Sequence, residues 1–191
     1  MRIRTLLAAA TFAGLVAACG TEDFLPKPST QNDTIRVTLG ALLSTPVGTS
    51  SGYATRPSSG LLGSGPVRLD VSSDVEFIYD IDPVLGPAFY PAEAKGLLTH
   101  SSTNPGLQRM AVPFDSILKA RSNGYTLDAP LAVDSGDVFL VRSRIRCNIG
   151  VPIYAKLQVL GVDSVAHTVT FLIMVNENCG YRDLDFGLPK N

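Results

Sequence analysis

The stretch from Asp137 to Cys179 constrains the fold more than any other part of this chain. "DVFLVRSRIRC", "PIYAKLQVLGV" and "HTVTFLIMVN" are three apolar, β-branched runs of strand length, joined by "NIGV" and "DSVA". Links that short favour antiparallel hairpins, so the three runs predict an up-down-up meander. In such a meander the first and third strands end at the same edge of the sheet. Cys147 closes the first strand and Cys179 lies just past the third. Those two strands stand about 9.5 Å apart, twice the inter-strand spacing. A disulfide needs Cα atoms within about 7 Å, so the "ENCG" turn must fold back toward Cys147. A Cys147–Cys179 bridge is expected on that geometry. Two cysteines without a CxxC spacing or neighbouring histidines make a poor metal site, and no metal is expected.

Alternation upstream points the same way. In Val75–Ile81, Val75, Phe77, Tyr79 and Ile81 share one face, while Asp74, Glu76, Asp80 and Asp82 share the other with Ile78. In Val138–Cys147, Phe139, Val141, Ile145 and Cys147 share one face and Arg142, Arg144 and Arg146 the opposite one. Both read as half-buried strands with a wet face. "TIRVTLGALL", "VRLDV" and "LQRMAVPF" supply further strands, and "DSILKA" one or two helical turns. "STPVGTSSGYATRPSSGLLGSGP" is long for a loop of a compact domain, which signals a surface excursion or a wrongly assigned strand on one side of it. With Gly 17 and Pro 13 among 191 residues, the chain is turn-rich. A mainly β, antiparallel, sandwich-like domain with a C-terminal three-stranded meander is the expected fold.

The N-terminus carries an address. In "MRIRTLLAAATFAGLVAAC", Arg2 and Arg4 precede an apolar run from Leu6 to Val16, followed by small residues, the layout of an export signal. The run is too short to span a bilayer, which takes about 20 apolar residues. Val16-Ala17-Ala18-Cys19 resembles the bacterial lipobox, an aliphatic residue and two small ones before a cysteine whose thiol takes a diacylglycerol thioether. Lipidation at Cys19 also removes the odd cysteine and leaves Cys147 and Cys179 to pair in an oxidising compartment. "GTEDFLPKPSTQNDT" then reads as a tether. The expected organisation is a leader over 1–18, a flexible tether over 19–33 and a single β-rich domain over 34–191. Gly20, rather than an acid after Cys19, favours the outer membrane, facing periplasm or cell surface. The expected partners are the lipid bilayer through acylated Cys19, and an envelope protein or small molecule.

Charge and motifs exclude other classes. The formal net charge is −1. Loss of Arg2 and Arg4 takes the 16 basic residues to 14 against 17 acidic ones, a net of −3. Neither figure suits a nucleic-acid binder. The arginine stripe could bind an anion, or could simply face solvent and pair with Asp74, Glu76 and Asp80. The acidic stripe with "DIDP" lacks the spacing and Gly turn of a calcium loop. Ser116 and Lys119 match S-x-x-K, but the companion motifs of serine acyl enzymes are absent. His100 and His167, the two histidines, flank no nucleophile elbow, and "GLLGSG" lacks the lysine of a phosphate loop. No catalytic residue and no cofactor are expected, and a binding or interaction module is preferred over an envelope hydrolase.

Asp74-Val75-Glu76-Phe77, "GDVFLVRSR" and Tyr154-Ala155-Lys156-Leu157-Gln158-Val159 occur in the order seen in HmuY-like haem-binding lipoproteins, and residues 70–176 resemble the C-terminal part of that family. The resemblance implies a lipid-anchored β domain and, as an alternative function, binding of haem or another small ligand. Val75 stands where the family has tryptophan.

Overall fold

A computed structural model describes residues 25–56 and 63–190. The leader and Cys19 lie outside the described residues.

Two five-stranded antiparallel sheets face each other. The first has the order β1 (Thr34–Gly40), β10 (Thr168–Asn176), β9 (Pro152–Asp163), β8 (Val138–Ile145) and β6 (Gly106–Met110). The expected meander is its centre, since β8, β9 and β10 are adjacent and antiparallel. The second sheet has the order β3 (Gly65–Val67), β2 (Gly52–Ala54), β4 (Phe77–Asp82), β5 (Gly86–Pro91) and β7 (Leu131–Ala132).

Rings hold the sheets together. Phe89 packs against Phe77 (centroids 4.9 Å), Phe139 (5.7 Å), Phe171 (5.8 Å) and Tyr79 (6.1 Å). Phe77, Tyr79 and Phe89 belong to the second sheet, Phe139 and Phe171 to the first. Edge-to-face pairs of this kind contribute about 0.5–1.5 kcal/mol each beyond the area they bury. Leu39, Tyr53, Val141, Leu157, Val159, Val169 and Ile173 fill the space around them.

Several sequence expectations need correction. The long Ser/Gly/Pro loop hides β2, and its Tyr53 is fully buried in the core. Gly52 is required there, because a Cβ would lie 2.5 Å from Val75 Cγ1. "VRLDV" is strand only at its first residue; Arg68–Val71 is a turn. β5 was hidden among prolines and glycines, and Asp82 creates its hairpin by accepting the N–H groups of Val84 and Leu85, both at 2.8 Å. "DSILKA" forms no α-helix; a short 3-10 turn covers Phe114–Ser116.

The outer sides of β4 and β8 are covered rather than wet. Over the first sheet, the 114–120 segment and the chain near Leu184 cover Val138, Leu140, Tyr154 and Met174. Lys156 secures this cover from β9, its Nζ donating to the carbonyls of Phe114 (3.2 Å) and Ile117 (2.9 Å), and burial pushes its pKa down. On the second sheet, Glu76 and Asp80 are each 1% exposed rather than solvated. Val75 packs with Ile78 and Ala92 on the outer side rather than with Phe77, because regular pairing starts only at Phe77.

Three asparagines tie the chain ends to the body. Asn178 accepts the N–H groups of Ser29 (2.8 Å) and Thr30 (3.1 Å) and donates to the Thr30 carbonyl. Asn32 donates to the carbonyls of Asp183 and Asp185, and Asn176 to that of Asp183. The turn after β10 thereby folds back, and Cys147 and Cys179 form a disulfide with Cα atoms 5.7 Å apart. The bridge closes a segment with a sequence separation of 32. On chain entropy, replacing both cysteines by alanine should cost about 3–4 kcal/mol and lower Tm by roughly 10 °C. Calorimetry of the oxidised protein against the double variant checks this; equal melting temperatures would contradict it.

Candidate functional site

The arginine stripe is split by a β-bulge. Arg142 pairs with Tyr154 and Ile145 with Pro152, so β8 advances three residues while β9 advances two. Ser143 makes the bulge tolerable: its Oγ accepts the Ile153 N–H at 2.8 Å and donates to the Arg144 carbonyl. One consequence is that Ile145, expected to face the core with Phe139 and Cys147, is 47% exposed. The other is that Arg142 no longer shares an environment with Arg144 and Arg146.

Arg144 and Arg146 turn to the second sheet. Arg146 forms a fork on Asp74 (2.9 and 2.5 Å) and reaches Glu76 Oε1 at 3.0 Å. Arg144 donates to the Val75 carbonyl at 2.9 Å and lies 3.6 Å from Asp74. The predicted pairing with Asp74 and Glu76 is therefore present, but it is half-buried, with Glu76 fully so. Asp80 takes Lys95 instead, at 2.7 Å. Burial pushes the Glu76 carboxyl up, against Arg146 and the Thr55 N–H, which both favour its charge. These two arginines are consumed in holding the sheets together at this end.

Arg142 is placed differently. Its Nη2 donates to the carbonyls of Ser102 (2.8 Å) and Asn104 (2.9 Å), and its guanidinium lies 5.3 Å from the centre of the Tyr125 ring. Among the described residues it has no carboxylate partner. It borders a hollow of about 290 Å³ whose wall includes Ser102, Thr103, Ser122, Ile145, Pro152 and Tyr154. Burial pushes the hydroxyls of Tyr125 and Tyr154 up, while Arg142 and Arg182 pull both back. The field here is positive and the wall carries hydroxyls, so the hollow suits an oxyanion.

Gly106 and Asn104 build the wall. A Cβ on Gly106 would meet Tyr125 Cβ at 2.8 Å and the Thr126 carbonyl at 2.9 Å. Glycine thus lets Thr126 bridge Leu107 and lets Tyr125 lie under Arg142. Asn104 Nδ2 donates to Glu93 Oε2 (2.7 Å) and to the Thr99 carbonyl (2.8 Å), fixing the loop that presents Ser102 and Thr103. His100 Nδ1 lies 2.6 Å from Glu93 Oε1. Neither Ser122 nor Tyr125 carries a sequence signal of a site, and Tyr154 stands out only within the Tyr154-Ala155-Lys156 run.

The other expected features are dispersed. His167 sits in the β9–β10 turn at φ 54°. Ser116 and Lys119 are exposed on the 114–120 segment, with Lys119 paired to Asp183 through the backbone. No three metal-ligating side chains converge among the described residues. A larger hollow, about 690 Å³, runs beside β3 between Ser50, Pro66, Val67 and Val71; its Arg68 is neutralised by Asp70 at 2.6 Å. No helix among the described residues is long and apolar enough to cross a membrane.

Two outcomes follow from this geometry. Arg146→Met leaves the Glu76 carboxylate buried without its cation and should cost about 3–5 kcal/mol. Adding Glu76→Gln should recover part of the loss in denaturant unfolding; no recovery would show that the pair is not coupled. For His100, donating a hydrogen bond to the Glu93 carboxylate raises the pKa above 6.5, while Asn104 and then His100 hold Glu93 below its ordinary value. The His100 contribution is therefore complete below the unfolded histidine pKa and is lost as pH rises through the raised one. It is small, because the ring is largely exposed. NMR titration should find His100 above 6.5 and Glu93→Gln should lower it; an unchanged midpoint in the variant would exclude the contact.

Compared with known proteins, the chain matches no family model, no curated protein and no solved structure.

Proposed function

We propose that this chain is an envelope lipoprotein, held to a membrane by acylated Cys19, whose β-sandwich serves as a binding or interaction module. The observation that carries this reading is the closeness of the lipobox to the folded body. Leu25 follows Cys19 by six residues and its side chain lies against Gly180, where an added Cβ would come within 2.6 Å of it. Fully extended, six residues reach about 20 Å. A thioether lipid at Cys19 would therefore hold the domain close to the bilayer surface. Two or three acyl chains on that residue make the attachment near-permanent.

The interior supports a module that binds on its surface. Its two sheets enclose interlocked rings, while hollows lie at the edges. Arg142, with its hydroxyl wall, is the best-equipped of these for recognition.

The anchor is tested by expression in a bacterial host. The native chain should mature to a form that incorporates labelled fatty acid and sediments with membranes. Cys19→Ser should accumulate as an unprocessed, unlabelled precursor. Normal maturation of that variant would overturn the reading.

A further inference from the structure

Antiparallel topology gathers an unusual set of groups at one end of the first sheet. β1 starts there, β8 and β10 end there, and β6 and β9 start there. The same end therefore carries Leu25, the 99–104 loop, the 146–151 link and the Cys147–Cys179 bridge. The opposite end carries the Asp163 turn, where Asp163 accepts the N–H groups of Val165 and Ala166.

Three features of the first end fit a lipid surface. Ile145 and Ile149 are 47% and 46% exposed beside the hollow, although neither is needed by the core. Arg142 is unneutralised at the hollow, and Arg121 and Arg182 lie near enough to act on Tyr125. Ser102, Thr103, Ser122 and Tyr154 line the same space. An apolar pair beside a positively charged, hydroxyl-lined hollow is the pattern that meets acyl chains and phosphates together at a membrane interface.

We propose that this end of the sandwich lies on the bilayer, with Ile145 and Ile149 at the headgroup boundary and the Arg142 hollow holding the phosphate of an anionic phospholipid. The hollow is small for a drug-sized ligand and suits a headgroup phosphate. The inference rests on the lipid anchor at Cys19, because the six-residue reach to Leu25 is what brings this end, rather than the Asp163 end, to the surface. In this arrangement the anchor confines the domain and the hollow orients it, leaving the β4–β5 and β9–β10 hairpins turned toward the aqueous side.

The test uses the native lipidated protein in vesicles of phosphatidylcholine alone or mixed with phosphatidylglycerol, read by hydrogen–deuterium exchange. Residues 101–104 and 145–152 should gain protection with phosphatidylglycerol, and lose it in high salt. Arg142→Gln should reduce that protection about fivefold, the share of one cation near an anionic surface. Because Arg142 also holds the 99–104 loop, Ile149→Asp is the second variant: it changes an exposed turn, should melt like the native protein, and should lose the protection as well. Equal protection in the two vesicle types would overturn the proposal, as would protection confined to residues 163–167. Glycerol 3-phosphate protecting the same segments equally well without vesicles would make this a site for free phosphates and overturn membrane docking. Failure of any of these leaves the anchor standing, provided that fatty-acid labelling still depends on Cys19.

Discussion

The contact of Phe89 with rings from both sheets is the interaction on which the rest of the molecule depends. A sheet of apolar strands is unstable until its inner face is covered, and here each sheet is the cover of the other. Phe89 is central because it touches Phe77 and Tyr79 within its own sheet and Phe139 and Phe171 across the gap. Shape then decides details elsewhere. Gly52 has no side chain because Val75 occupies that space, and Tyr53 beside it completes the ring cluster.

Polar groups are as closely specified as the core. Asp74, Glu76 and Arg146 meet where the edge of one sheet reaches the other, and each has more than one partner. Lys156 reaches carbonyls rather than a carboxylate, so the cover over the first sheet is tied by a charge-assisted hydrogen bond. Asn32, Asn176 and Asn178 do for the chain ends what ladder hydrogen bonds do for strands. Buried amides and charges are costly unless satisfied, so these bonds also determine which alternative packings are excluded.

The division of the three arginines shows how a local irregularity creates a site. Without the extra residue at Ser143–Arg144, β8 would keep its alternation and Arg142, Arg144 and Arg146 would share one face. With it, two of them enter a structural ion-pair network and the third is left in a hollow without a countercharge. The antiparallel topology places that hollow at the end of the sandwich where the chain enters the domain. Our proposals of an anchored module and of a lipid-facing end both draw on this coincidence of position and charge.

Sequence alone determined the meander, its antiparallel sense and the pairing of Cys147 with Cys179, because short links and period-two alternation are local properties. It also supplied the Cys19 motif and the opposition of acidic and basic stripes. It did not reveal β2 or β5, since a three-residue strand and a strand begun by Gly86-Pro87 owe their extended form to neighbours rather than to propensity. Nor did it show that the outer side of β8 and β9 is covered, which depends on where the 114–120 segment and the residues near Leu184 come to rest. The Arg142 hollow was beyond its reach for the same reason. Ser102, Ser122, Tyr125 and Tyr154 are far apart along the chain, and only tertiary packing, through a bulge and the missing side chain of Gly106, brings them around one guanidinium.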